Sequence, residues 1–208
     1  MEAGQIIILN GAPRSGKSSI AAAIQETFEG VWINLGVDAY ALATPPRLRP
    51  GIGLRPGGER PDLEVFVSGL YAALYDAIAA HSRLGLNVVA DVGHHDAYSR
   101  PLNILPECAR RLAGLPVLFV GVRCPIEEIL RRRAAGGAGT PYVIGTDDDP
   151  TPLPVRLWQE EVHKPGLYDL EIDTSLLSPH ACAEAIRDRL MAGAEPTAFP
   201  TLARRSAS

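Results

Sequence analysis

The stretch Gln5-Ile6-Ile7-Ile8-Leu9-Asn10-Gly11-Ala12-Pro13-Arg14-Ser15-Gly16-Lys17-Ser18-Ser19-Ile20-Ala21-Ala22-Ala23-Ile24 decides the fold. Its middle, Gly11 to Ser18, satisfies every fixed position of the G-x-x-x-x-G-K-[ST] phosphate-binding loop. The run before it is short, apolar and β-branched, the pattern of a buried strand. The run after it is Ala-rich with apolar residues at helical spacing. A strand, a glycine loop and a helix in that order distinguish a nucleotide site from a glycine turn that merely joins two elements. Glycines at 11 and 16 let backbone N–H groups turn inward around a phosphate, and the helix N-terminus adds partial positive charge. The whole run Gly11, Ala12, Pro13, Arg14, Ser15, Gly16, Lys17, Ser18 and Ser19 is therefore read as the cradle of a nucleotide. Lys17 is placed to reach the β- and γ-phosphates, and the Ser18 hydroxyl suits Mg²⁺. Lys17 and Lys164 are the only lysines of the chain, which otherwise uses arginine for positive charge. A compact ammonium has been kept where it suits a phosphate.

Outward from this stretch, further apolar runs at 31–35, 86–90, 117–122 and 168–172 read as strands. Helical patterns separate them at 62–82, 102–112, 125–135, 153–163 and 178–190, the first opened by Pro61 and the last by Ser178 as N-cap. Alternation of this kind predicts an α/β fold with a parallel sheet covered by helices on both faces. Ligands of such sheets gather at the carboxyl ends of the strands. Residues 44–61 (TPPRLRPGIGLRPGGERP) have no periodicity and read as a long loop on the acceptor side, and 136–154 as a second irregular stretch. One domain over 1–191 is expected, with 131–154 as its lid region and 192–208 as a frayed tail.

Bulk properties agree with a single globular domain of 208 residues: 46% hydrophobic and 21% charged are ordinary values. A net charge of −4 with no basic run argues against nucleic acid as the partner. No apolar run stands out as a membrane span, and no leader precedes the first strand, so no membrane partner is expected and the cytoplasm is the expected compartment. Cys108, Cys124 and Cys182 are odd in number and widely spaced, the pattern of buried thiols rather than disulfides or a metal site. A homo-oligomer is compatible with the sequence, which does not write its own assembly state.

The strand ends carry the candidate chemistry. Asp38 follows the second strand in Leu35-Gly36-Val37-Asp38, where a carboxylate can accept a proton from an attacking hydroxyl. It can equally cap a short helix. Asp91 closes the third strand and reads either as a Mg²⁺ partner of Ser18 or as a turn residue. Val92, His94 and Tyr40, near both carboxylates, are candidates for an acceptor pocket together with Asp38 and Asp91. His94-His95 do not make a metal pair, because adjacent histidines cannot easily face one ion. Arg131-Arg132-Arg133 ends a helix; these cations complement the helix dipole, or Arg132 and Arg133 close over a transferring phosphoryl group. Arg123 is a further candidate for the nucleotide side, and Trp158 reads as a core residue ahead of a base-stacking platform.

The pieces IIILNGAPRSGKSS, LGVDAY, LNVVADV, LFVGVRC and VHKPGLYDLEIDTS, in that order and spacing, resemble the chloramphenicol phosphotransferases, small kinases related in fold to shikimate and adenylate kinases. The resemblance covers nearly the whole chain to about residue 190. It implies a three-layer P-loop kinase fold with a five-stranded parallel sheet flanked by helices, ATP as donor and Mg²⁺ beside it. It also implies that Asp38 is the base on the acceptor hydroxyl and that Asp173 and Thr174 lie near the adenine. The lid departs from the family pattern: Ala135-Gly136-Gly137-Ala138-Gly139 stands where an Arg-Gly-Asp-Arg type stretch is usual, so Arg132, Arg133 or Arg156 takes that place.

Three functions compete on these residues. The first is ATP-dependent transfer to a hydroxyl of a small molecule, an antibiotic by the resemblance. The others are a metabolic or nucleoside kinase of the same fold and a non-catalytic nucleotide-binding module. A pure binding module has no need of a carboxylate at position 38. No N-K-x-D guanine motif is present, but the residues alone leave GTP open as donor.

Overall fold

The computed structural model describes residues 2–136, 145–164 and 166–205. Five parallel strands, β1 (Ile6–Asn10), β2 (Trp32–Asn34), β3 (Asn87–Val92), β4 (Val117–Arg123) and β5 (Leu170–Asp173), form one sheet in the order β2-β3-β1-β4-β5. β1 is central, pairing Leu9 with Asp91 of β3 on one side and with Val120 of β4 on the other. The chain leaves β1 towards β2 and β3 and later builds β4 and β5 on the opposite side. That reversal opens a crevice beyond the carboxyl end of β1.

The apolar runs are continuous because both faces are covered. Ile6 and Ile8 enter one core with Val88, Ala90 and Phe119, whereas Ile7 and Leu9 enter another with Val89, Leu118 and Val120. Side chains alternate across a strand, so each strand feeds two cores. The first core is closed by α3 (Pro61–Arg83), α4 (Ile104–Arg111) and α8 (Ala198–Ala203). The second is closed by α1 (Lys17–Thr27) and α7 (Pro179–Met191). A third, smaller cluster joins α5 (Ile126–Ala135) and α6 (Leu153–Glu161) to the loop at Ala12.

Four sequence expectations change. The tail is not frayed as far as Arg205: Phe199 and Leu202 on α8 are 3% and 0% exposed and pack on α4 and β4. A six-residue helix with two core side chains is too short to show a period. The helix α2 (Val37–Ala43) was not expected as an element, because none of its residues is fully buried and it has no apolar stripe. α3 has the length and mean hydropathy, 1.4, of a membrane span. Its Leu63, Val67, Tyr71, Leu74, Tyr75 and Ile78 are buried in the first core, and that use accounts for the hydropathy. The 44–61 segment, read as a loop, contains two short 3₁₀ turns, Pro46–Leu48 and Gly51–Gly53. All three cysteines are buried free thiols.

Candidate active site

The loop after β1 enters α1 through Gly16, whose φ of 96° is in the left-handed region that glycine adopts without side-chain strain. α1 has no side-chain cap and no acidic residue in its first turn. Its first amides therefore remain available to an anion. Lys17 Nζ donates to the carbonyls of Gly11 and Ala12 at 2.8 and 2.9 Å. Burial pushes its ammonium down to about 8, with Asp91 and Asp38 pulling the other way. Ser18 Oγ donates to Asp91 Oδ2 at 2.7 Å.

Asp91 stands on β3 beside Leu9, and its carboxylate is packed against Gly36. A Cβ at position 36 would lie 1.7 Å from Asp91 Oδ1, so only glycine fits there. Gly36 is also the N-cap of α2, and Asp38 is in the first turn of that helix. Neither carboxylate caps a helix: Gly36 holds the cap position of α2, and Asp91 lies within a strand. The Asp38 carboxyl is raised above its ordinary range, first by burial and then by Asp91, with Lys17 opposing. A cation and two carboxylates thus feel one another at the mouth of the crevice.

These groups open into one cavity of about 1170 Å³. Gly11, Pro13, Arg14, Gly16, Lys17, Ser18 and Ser19 bound it from the loop side, with Asp38, Asp91 and Val92 from the strand ends. Ala12 and Ser15 of the same loop are buried behind that lining. Two expected acceptor residues are not part of it. His94 is 2% exposed and turned into the first core, stacked on Tyr71 at 4.7 Å with its Nε2 2.7 Å from the Tyr75 hydroxyl. Its N–H donates to Asn10 Oδ1 at 2.7 Å, which fixes the turn, and burial holds the ring down to about 3, hence neutral. Tyr40 lies on another part of α2, over a separate shallow groove with Thr44 and Leu70. Nearness in sequence to Asp38 and Asp91 said nothing about which way these two rings turn. His95 is likewise structural, its Nε2 2.9 Å from the Leu54 carbonyl.

Arg49, Ile52, Arg55, Tyr71 and Trp158 complete the wall and were not expected as site residues. The arginines come from the aperiodic 44–61 segment, where no local pattern marks a direction. Trp158 is core, as expected, and also lines the cavity.

Arg132 and Arg133 both line the cavity, in different settings. Arg132 donates from Nη1 and Nη2 to Thr174 Oγ1 and O at 3.0 and 2.7 Å, and its Nε pairs with Glu128 at 2.7 Å. Thr174 Oγ1 in turn donates to the Ser15 carbonyl at 2.7 Å, so the turn after β5 is tied to the phosphate loop. Asp173 accepts from Ser175 within that turn and does not reach the cavity. Arg133 is 4% exposed. Arg123 pairs with Glu171 at 2.6 Å and is not part of the wall. Within the expected lid region 131–154, residues 137–144 lie outside the described residues.

Comparison with known proteins agrees with the fold. The family model described as chloramphenicol phosphotransferase-like protein matches residues 4–191. A Mycobacterium tuberculosis protein provisionally named an O-phosphotransferase is 29% identical, over 99% of this chain and 90% of its own length. The shikimate kinase of Acinetobacter baumannii, solved with shikimate, superposes with a TM-score of 0.57 at 13% identity, covering 92% of this chain and 95% of its own. The Mycobacterium tuberculosis APS kinase, solved with AMPPNP and APS, gives 0.55 at 18% identity, covering 92% and 99%. With a phosphate loop, a five-stranded parallel sheet and a family match over nearly its whole length, the chain belongs to the chloramphenicol phosphotransferase-like protein family and is a kinase-fold O-phosphotransferase.

Proposed function

We propose that the chain transfers the γ-phosphoryl group of ATP to a hydroxyl of a small molecule, with Asp38 as general base. The observation that carries this is the convergence of Lys17, Asp38 and Asp91 on one cavity at the head of α1. In this reading the polyphosphate occupies the loop and replaces the Gly11 and Ala12 carbonyls as the partner of Lys17. Asp38 takes the proton of the acceptor hydroxyl as its oxygen bonds to the γ-phosphorus and the bond to the ADP oxygen breaks. A carboxyl raised by burial is suited to the task, since a base works best with a pKa drawn towards the operating pH. Arg132 and Arg133 neutralise charge on the equatorial oxygens, and Thr174 borders the adenine side. Positioning does most of the work in such a transfer.

Ser18 Oγ and Asp91 Oδ2, 2.7 Å apart, supply the oxygen donors that a hard cation takes. Mg²⁺ completes its shell with water and substrate phosphates, so two protein oxygens fit it. When bound, it neutralises charge on the β- and γ-phosphates.

The cavity has room for a nucleotide and a second, drug-sized molecule, and Ile52, Tyr71, Val92 and Trp158 give the acceptor half apolar walls. A hydroxylated antibiotic is the acceptor class this reading favours. The test is a panel of hydroxylated antibiotics and nucleosides incubated with ATP and Mg²⁺ and scored by mass for gain of one phosphate. At least one antibiotic is expected to gain it, and Lys17→Ala to abolish the gain. Phosphotransfer that survives Lys17→Ala would remove the loop from the reaction.

A further inference from the structure

The cavity holds more positive charge than a nucleotide accounts for. Its wall includes Arg14, Lys17, Arg49, Arg55, Arg131, Arg132 and Arg133 against Asp38 and Asp91. Arg14 and Lys17 belong to the phosphate loop, and Arg131 and Arg132 are already paired with Glu128. Arg133 enters from the same helix. Arg49 and Arg55 differ in origin, because they come from the segment that packs on α2 and α3. Gly53, between them, approaches within 3.9 Å of a Val37 side-chain atom as measured from its ideal Cβ, next to Asp38. Both arginines thus enter the cavity wall from the segment packed on α2 and α3, and not from the phosphate loop.

These arginines stand on a built support. Ile52 and Leu54 are 2% and 5% exposed and belong to the first core, and Pro56 is buried as well. The Leu54 carbonyl is 2.9 Å from His95 Nε2, and the Gly57 N–H donates to the Ala97 carbonyl at 2.7 Å. With residues 54 and 56 anchored inward, Arg55 is left facing the cavity mouth. It makes no hydrogen bond or ion pair among the described residues. Arg49 is steadied from one side, with Nε and Nη2 donating to the Thr44 and Leu42 carbonyls at 3.3 and 3.2 Å. Its Nη1 makes no such bond among the described residues. Guanidinium groups in the cavity wall with N–H donors left over among the described residues, as Arg55 and Nη1 of Arg49 have, are suited to a second anion. Repulsion from Asp38 and Asp91 would otherwise disfavour an acidic ligand, so a recognition site for one needs cations of this kind.

Resting on the function proposed above, we infer that the acceptor is an anionic hydroxy compound. Its carboxylate, phosphate or sulfate group is held by Arg49 and Arg55, its apolar body lies on Ile52, Tyr71 and Trp158, and its hydroxyl is presented to Asp38. A neutral alcohol would leave Arg55 and Nη1 of Arg49 without an anionic partner.

Matched pairs test this: hydroxycarboxylic acids against their methyl esters, and phosphate and sulfate monoesters of diols against the parent diols. Each is titrated calorimetrically onto the full chain with AMPPNP and Mg²⁺, and each is assayed with ATP for phosphate gain. The expected result is tenfold or stronger preference for at least one anionic class, which also names the anion. Arg55→Gln and Arg49→Gln should each weaken binding of that anionic class about 10- to 100-fold through KM and acceptor Kd, and so erode the preference. The nucleotide Kd should be unchanged, and that value also reports a folded site. Equal binding of the neutral partners, or a preference that survives both substitutions, overturns the inference and leaves the phosphotransfer reading intact. Conversely, arginine-dependent binding of an anion with no phosphate gain by any compound supports the site and counts against the base and acceptor roles.

Discussion

The carboxyl of Asp38 is raised by burial and by Asp91 and lowered by Lys17. Asp38→Asn keeps the shape and removes the proposed base, so turnover should fall roughly two to four orders of magnitude with nucleotide binding retained. Calorimetric titration beside a turnover assay checks both halves. In the proposed role Asp38 acts deprotonated, so kcat/KM should fall as pH drops through a value above the ordinary carboxylate range. Asp91→Asn removes one of the two raising causes and should move that acid limb to lower pH, whatever it does to the height of the profile. Lys17 carries the opposite sign. Its ammonium is depressed to about 8, so in the empty site it is neutral above that pH. A polyphosphate favours the charged form, so nucleotide affinity should decline by up to about tenfold per unit above pH 8, with proton uptake on binding. Proton uptake is read from titrations in buffers of different ionisation heat, and a flat affinity from pH 8 to 10 would contradict it. Lys17 and Ser18 were legible in the sequence because the loop motif names them by spacing. His94 and Tyr40 were misplaced because composition near a carboxylate carries no information on side-chain direction.

Among the elements, α2 does the most with the least. Seven residues without a buried stripe bring Asp38 to the crevice, and what fixes them is the contact between Gly36 and Asp91. Gly36→Ala would drive a methyl group to 1.7 Å from Asp91 Oδ1, so one of the two must move. Activity should drop at least 100-fold while the far-ultraviolet circular dichroism of the sheet and long helices is kept. Asp91 displaced from Ser18 would also weaken nucleotide binding, unlike Asp38→Asn. On α5, Arg132 is the tie between phosphate loop and the Thr174 turn, and Arg133 is the more buried of the pair. If both Arg132→Ala and Arg133→Ala turn over like the parent, this helix contributes no arginine to the reaction; we expect at least one to lose tenfold or more. The five strands and six longer helices were legible within a few residues because two-faced burial makes strands uniformly apolar and one-faced burial gives helices a stripe. α2, α8 and the 3₁₀ turns were not, because their positions are set by tertiary contacts.

At the scale of the molecule, the sheet order places the candidate site residues at the carboxyl end of the strands. The loop after β1, Asp91 at the end of β3 and α2 after β2 come together there because parallel strands all point their carboxyl ends the same way. That much follows from the alternation of strands and helices. Which acceptor the cavity takes does not, because it depends on the 44–61 segment, whose anchors at Leu54, Gly57 and Gly58 are contacts with the distant 95–99 stretch. The far side of the molecule depends on α8. Phe199 packs edge-on to Phe119 at 5.0 Å and near Tyr75 at 6.4 Å. Phe199→Ala should cost about 3–5 kcal/mol in denaturant unfolding, with KM values unchanged because the cavity lies at the opposite strand ends.

That cover has a bearing on how the chain is made. Residues 198–203 leave the ribosome after all five strands, so Phe119 and Tyr75 have no lid until then. A nascent chain stalled just after β5 would show a greasy strip to the cell, inviting chaperones or self-association. Ribosome-bound chains halted before and after residue 205 should differ in protease resistance and in chaperone capture accordingly.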